Sequence, residues 1–166
     1  MSILIGALKL LNSFEDLILL TAGKRSGKIS SFPQMDLNFI SSTPLLRQFY
    51  SACDVFICPS LEDNLPNTVL ESMACGTPVI ANNIGGIPDM VVNNENGLLM
   101  DSIESGPLAH SIDDLINDKS RLRHFSIQAR RRIVSSFSNE RSAKTYKELY
   151  VRLINMHRQN AKGRTC

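Results

Sequence analysis

Short apolar runs of strand length alternate along this chain with segments whose apolar residues recur at helical spacing, and this alternation constrains the fold more than any other feature. A strand buried on both faces reads as an unbroken hydrophobic run, and a succession of such strands and helices is the pattern of a parallel sheet covered by helices. The runs are Leu17 to Ala22 (LILLTA), Leu37 to Ile40, Val55 to Cys58, Pro78 to Ala81 and Gly97 to Met100. Around them, Ile3, Leu4, Ala7, Leu8 and Leu11 share one helical face, with Asn12-Ser13 as the stop. Thr43-Pro44 opens a second helix through Leu45, Leu46, Phe49 and Tyr50, with proline at a first helical position. Pro66 or Asn67 begins a third that ends at Cys75-Gly76, where glycine can take the left-handed cap. Helices near 104–117, 119–135 and 139–158 finish the chain. The expected class is α/β, one domain over residues 1–166, with no internal repeat or flexible linker.

Composition narrows the class further. With 166 residues, 43% of them hydrophobic, the chain can bury a core without a disulfide or metal staple. Collagen-like, low-complexity and disordered chains are excluded. Cys53, Cys58, Cys75 and Cys166 form no C-x-x-C pair and have no neighbouring histidine. That argues against a zinc site or a disulfide framework and fits a reducing, cytosolic compartment. The most apolar stretch, Ile3 to Leu11, is interrupted by Lys9 and far too short to span a bilayer. With no Lys or Arg before it, it also makes a poor signal peptide.

The net charge of +2 conceals an asymmetry, because residues 1–120 hold 6 basic and 14 acidic residues while residues 121–166 hold 12 and 2. The basic end, with Arg130, Arg131 and Arg132 adjacent, reads first as a solvated face balancing an acidic body. Peripheral contact with anionic lipid is the second reading, and the lack of interleaved aromatics argues against nucleic acid.

Gly23 to Lys28 (GKRSGK) follows a strand and imitates a phosphate-binding P-loop. It has three residues between its glycines where the motif needs four, and Ile29 where the motif needs Ser or Thr. It reads as a basic surface turn. His110, His124 and His157 have no Ser, Cys or acid at catalytic spacing and read as helix-surface residues.

The informative stretch is Asp54 to Asp101. Ligands of open parallel sheets bind beyond the carboxyl ends of the strands, and the loop Pro59 to Asn67 leaves strand Val55 to Cys58 at that end to enter a helix. The first N–H groups of the helix, around Asn64 to Thr68, favour an anion such as a diphosphate. Glu71 follows one to two turns in, where a carboxylate can accept two hydrogen bonds from a ribose diol. Alone, it would be an ordinary helix-surface glutamate. Gly85-Gly86, after strand Pro78 to Ala81, presents backbone without side chains, suited either to close approach by a ligand or to a turn before a short helix.

Taken in order, DVFICPS (54–60), the acid-to-Glu71 segment, MACGTPVIA (73–81), GGIPDMV (85–91) and NENGLL (94–99) resemble the C-terminal, nucleotide-sugar-binding domain of the retaining group 1 glycosyltransferases of GT-B fold. The resemblance covers nearly the whole chain. It implies a Rossmann-like parallel sheet and a site for a nucleoside-diphosphate sugar as donor substrate, with no cofactor and no metal; no D-x-D pair is present. In that family two glutamates lie eight positions apart, and here those positions are Asp63 and Glu71, the catalytic candidates. By resemblance Glu71 holds the ribose hydroxyls, while Asp63, a conservative departure, lies near the donor sugar and phosphate, with Glu62 its substitute if the loop shifts. N–H groups of Asn64 and Leu65 meet the sugar or diphosphate, and main-chain groups near Ser41 read the base edge. Pro66, Gly85 and Gly86 complete the donor-binding set. The helix at 139–158 resembles the one that crosses to the family's N-terminal domain, so its stripe of Tyr146, Leu149, Tyr150, Leu153 and Ile154 is expected to be exposed and to promote self-association.

The resemblance also implies parts without counterpart here: the first strand of the domain, the following loop with an Arg and a Lys that neutralise the departing diphosphate, and the N-terminal domain that binds the acceptor. In the usual strand order 3-2-1-4-5-6 the first strand is central, so Leu17 to Ala22 and Val55 to Cys58 are expected to lack the neighbour between them. The expectation is a piece of a longer, cytoplasmic enzyme of polysaccharide synthesis, inactive by itself, with a glycan or lipid-linked acceptor at the inner membrane face. Two rivals stand beside it. One is a GT-B-fold sugar-nucleotide epimerase, which needs acids or bases from the absent domain; the other is a non-catalytic nucleotide-binding or interaction module.

Overall fold

The apolar runs and helical stripes become, in chain order, α1 (Ser2–Leu8), β1 (Leu19–Thr21), β2 (Gln34–Asp36), α2 (Thr43–Ser51), β3 (Phe56–Cys58) and α3 (Asn67–Ala74). After these come β4 (Val79–Asn82), α4 (Ile87–Met90), β5 (Gly97–Met100), α5 (Ser105–Asn117), α6 (Lys119–Ser136) and α7 (Asn139–Lys162). The computed structural model describes residues 2–11, 16–23, 32–101 and 104–162. The Asn12-Ser13 stop, the basic turn from Lys24 to Lys28 and Cys166 lie outside the described residues. The chain divides into two compact units, Met1–Ile133 and Val134–Cys166.

Every strand pairing in the first unit is parallel. Among the described residues the strands form two groups, β1–β2 and β3–β4–β5, so no strand links β1 to β3. The break falls where the strand order left a place open. Its consequence is visible in burial, because β4, paired on both sides, is buried throughout, whereas β1, Phe56 and Ile57 are only half-buried and Ile18 is 64% exposed. Helices cover the sheet. Ala7 and Leu8 of α1, Leu11 beyond it, and Leu108, Ala109, Ile112 and Leu115 of α5 share one core with Ile80, Leu98 and Met100 of the sheet and with Leu122 and Phe125 of α6.

The strand expected at Leu37 to Ile40 forms earlier, at Gln34–Asp36. Leu37 N–H still donates to the Thr21 carbonyl at 2.9 Å, but the Asp36 carboxylate then accepts from Asn38 N–H at 3.0 Å, and Asn38 takes a φ of 55°. A side-chain-closed turn with a left-handed residue breaks the regular ladder, and the next bond, from Gly23 N–H to the Asn38 carbonyl at 2.8 Å, is shifted by one residue. The apolar letters that follow therefore belong to a connection, in which Phe39 is 67% exposed. The other strands lie close to their expected positions.

Part of the basic run also bonds back to the protein from the surface. Arg130 donates Nη1 to the Ala74 carbonyl at 2.6 Å, and Arg132 donates Nη2 to the Asp89 carbonyl at 2.8 Å. Two of the three adjacent arginines thus serve carbonyls at the end of α3 and in α4, where helix dipoles favour cations.

The second unit comprises the end of α6 and α7. Tyr146, Leu149, Tyr150, Leu153 and Ile154 of α7 are exposed, and the rings of Tyr146 and Tyr150 stack 6.3 Å apart. Among the described residues, no helix is long and apolar enough to cross a membrane.

Candidate functional site

The loop from Pro59 to Pro66 leaves the carboxyl end of β3 and is held along its length. At its start, Asn82, the last residue of β4 and fully buried, donates Nδ2 to the Ser60 carbonyl at 2.7 Å. The Cys58 sulfur lies 3.6 Å from the Ser60 hydroxyl. In the middle, Gly86 N–H donates to the Asn64 carbonyl at 2.6 Å. Gly85 has a φ of +52°, and a Cβ on it would stand 1.8 Å from the Asp63 carbonyl oxygen. A Cβ on Gly86 would stand 2.5 Å from that of Asn64. The bare backbone of this pair is therefore used by the chain itself, to let the Asp63–Leu65 backbone come close, and Gly86 is at the same time the N-cap of α4.

At its far end the loop becomes α3 through Pro66, a buried N-cap with no side-chain hydrogen bond to offer. The leading amides of α3, Asn67 and Thr68, thus stand at the positive end of the helix without a side-chain cap. Glu62, Asp63, Asn64 and Leu65 are exposed around that end.

Glu71 lies on the second turn of α3, itself exposed, and its Oε2 accepts a 3.0 Å hydrogen bond from the Tyr50 hydroxyl of α2. Tyr50 is 4% exposed. Its ring meets Phe49 and Phe56 edge-on, with centroids at 5.3 and 5.8 Å. The Tyr50 carbonyl accepts from Thr77 Oγ1 at 2.6 Å, and Ser72 Oγ donates to the Thr77 carbonyl at 3.0 Å. The carboxylate of Glu71 is therefore tied to a rigid point.

Burial first, and then the hydrogen bond and charge of Glu71, push the Tyr50 phenol well above its ordinary value. Burial, with Asp54 second, pushes the Cys53 thiol up as well. Folding thus retains protons that the unfolded chain releases, so stability falls as pH rises, from about pH 9 for Cys53 and about pH 10 for Tyr50. The expected limiting slope for Tyr50 is about 1.4 kcal/mol per pH unit. Urea midpoints taken between about pH 8 and pH 11 should fall accordingly, and Tyr50→Phe should flatten the part above about pH 10.

The structure brings Asp63, Asn64 and Leu65 against Gly85 and Gly86, and puts Pro66 and Glu71 on one helix. Ser41 is exposed just before the N-cap of α2, the helix that carries Tyr50. His110 pairs with Asp114 at 3.4 Å on an exposed face, and His124 and His157 are exposed. Sequence reading missed Tyr50 and Asn82. A tyrosine on the apolar face of a helix signals a hydroxyl in need of a partner, and Asn82 was overlooked because the apolar run stops at Ala81.

A parallel sheet whose strand-end loop feeds a helix N-terminus, with an anchored carboxylate behind it, is an arrangement in which open α/β domains can hold an anionic ligand. Residues 1–132 match the model of the family described as glycosyl transferases group 1, and the chain belongs to that family. The alpha-maltose-1-phosphate synthase of Mycolicibacterium smegmatis is 35% identical over 114 residues, which are 65% of this chain and 30% of that protein. Sucrose-phosphate synthase from Thermosynechococcus elongatus shares the fold with a TM-score of 0.77 and 25% identity, over 93% of this chain and 42% of the other. Anabaena Alr3699/HepE, solved in complex with UDP-glucose, gives 0.73 and 22% over 89% and 45%, a likeness of fold. The chain spans less than half the length of each of these proteins.

Proposed function

We propose that this chain is the donor-binding domain of a glycosyltransferase, holding a nucleoside-diphosphate sugar whose sugar passes to an acceptor such as a growing glycan or a lipid-linked one. The observation that carries this reading is the pinning of the Asp63–Leu65 backbone against Gly85 and Gly86 immediately before the N-terminus of α3, with Glu71 one turn further on. In this reading the leading amides of α3 and those of Asn64 and Leu65 meet the diphosphate, and the remaining lone pairs of Glu71 accept the ribose diol. Asp63 lies nearest the sugar. Reaction breaks the bond between the anomeric carbon and the diphosphate oxygen and forms one to the acceptor oxygen, whose proton is released. Charge building on the diphosphate is met by fixed N–H dipoles, the preorganised stabilisation that dominates such transfers. Retention of configuration and independence from metal belong to the same proposal. Family membership supports it, and so does the likeness in fold to a neighbour solved with UDP-glucose.

Thermal shift with UDP, GDP, ADP and dTDP tests the reading. One nucleotide at about 100 times its Kd should stabilise by about 2.7 kcal/mol, raising Tm by about 5–10 °C for a chain of this size. Glu71→Ala should weaken that nucleotide by about tenfold or more, through loss of charge-assisted hydrogen bonds. A folded chain indifferent to all four would overturn the reading.

A further inference from the structure

We propose that Tyr50 is a positioning residue for donor binding, its buried hydroxyl holding the Glu71 carboxylate in the one orientation that accepts a ribose diol. The inference rests on the donor reading above and goes beyond it by assigning a role to a residue on a different helix, 21 positions away in sequence.

The argument begins with what Glu71 would do without it. A glutamate on the exposed flank of a helix samples several rotamers, and ordering it on a ligand costs side-chain entropy. Here that ordering precedes any ligand. The Tyr50 ring is clamped edge-on by Phe49 and Phe56, and its backbone is tied through Thr77 to the turn after α3. The hydroxyl consequently occupies a fixed point, 3.0 Å from Oε2. An ionised carboxylate offers about four acceptor positions, so one phenol leaves the others for a second partner.

The donor character of the phenol is equally fixed. Burial and the adjacent carboxylate both disfavour its ionised form, so the hydroxyl remains a donor wherever the protein is folded. The rest of the Tyr50 side chain packs as an ordinary core residue, and the hydroxyl is the part that packing alone does not require.

Tyr50→Phe removes that oxygen and keeps the ring. Calorimetric affinities are measured for whichever of UDP, GDP and ADP binds the whole chain, and for its 2′-deoxy counterpart. In the wild type the ribonucleotide should bind tighter than the deoxynucleotide. In Tyr50→Phe the ribonucleotide should weaken by about five- to tenfold, the effect of losing one hydrogen bond of ordinary net strength, and the ribose-to-deoxyribose ratio should shrink by about fivefold. In a Glu71→Ala background, adding Tyr50→Phe should change neither affinity further.

A merely structural tie would weaken both nucleotides equally and leave the ratio unchanged, which overturns the proposal. Unaltered ribonucleotide affinity in Tyr50→Phe, beside a clear loss in Glu71→Ala, overturns this inference alone. Absence of any binding in the wild type overturns the donor reading and the inference with it.

Discussion

Gly85→Ala is expected to lose the nucleotide response altogether and to destabilise the fold by about 2–4 kcal/mol, the sum of a backbone penalty and a clash. The backbone penalty arises because Gly85 sits at a φ of +52°, where an L side chain costs about 1–2 kcal/mol. The clash arises because the new Cβ would stand 1.8 Å from the Asp63 carbonyl oxygen, a backbone atom with no rotamer to escape into. Relief requires the Asp63–Leu65 segment to withdraw, and withdrawal breaks the 2.6 Å bond from Gly86 N–H to the Asn64 carbonyl. The amides that the donor reading assigns to the diphosphate move with it. Gly23→Ala is the matched control, since Gly23 also has positive φ, +130°, but no described atom lies within 4 Å of its Cβ position. It should cost about 1–3 kcal/mol, a backbone penalty alone, and leave the nucleotide response intact. Urea midpoints and thermal shifts on both variants decide the matter; a Gly85→Ala protein that still responds to nucleotide would show that the loop is not held as described.

Phe125→Ala is expected to give the opposite pairing, a large loss of stability with the nucleotide response retained. Phe125 is 1% exposed in the core shared by α6, α1, α5 and the sheet, and the Arg121 guanidinium lies 5.2 Å from its ring centroid. Truncation removes a large apolar side chain and leaves a cavity, at a cost of about 3–5 kcal/mol. That is a large share of the roughly 5–15 kcal/mol by which domains are stable, and it corresponds to a Tm lower by about 6–20 °C. Arg121 also donates to Asn94, a residue with φ of 64° in the turn before β5, so this turn should loosen with the ring. Ile127→Ala, on the same helix but 58% exposed, should stay within about 0.5 kcal/mol of wild type. Thermal denaturation followed by circular dichroism separates the two, and equal effects would mean that α6 does not pack as seen here.

Periodicity is a local property, and what it encodes was legible. The stripe through Leu45, Leu46, Phe49 and Tyr50, the proline at the start of α2 and Gly76 at the end of α3, with a φ of +83°, each sit where short-range geometry puts them. The chain also announced a parallel sheet with helices over it, because fully apolar runs such as Val79 to Ala81 have no solvent face to offer. Where local apolarity was the only guide it misled. Leu37 to Ile40 looked like a strand, but the Asp36 side chain closes on Asn38 N–H and breaks the regular register there.

The candidate site was legible as a set of positions and illegible as a set of contacts. The loop, the helix start and Glu71 follow one another in sequence, so their neighbourhood came from chain order and from the rule that ligands sit beyond the carboxyl ends of strands. Which group meets which across longer separations was settled only by how the helices lie on the sheet. Tyr50 finds Glu71 over 21 positions, Asn82 finds Ser60 over 22, and Arg132 and Arg130 find their carbonyls over 43 and 56. The bareness of Gly85 and Gly86 was visible from the letters alone; that it serves the chain's own loop was not, because the direction in which a missing Cβ would point depends on the folded backbone. By itself, then, the sequence determined element type, order and the position of the candidate site along the chain, all carried by the spacing of residues. The tertiary structure decided the partners, since hydrogen bonds and close packing depend on distances in space that spacing along a chain does not specify.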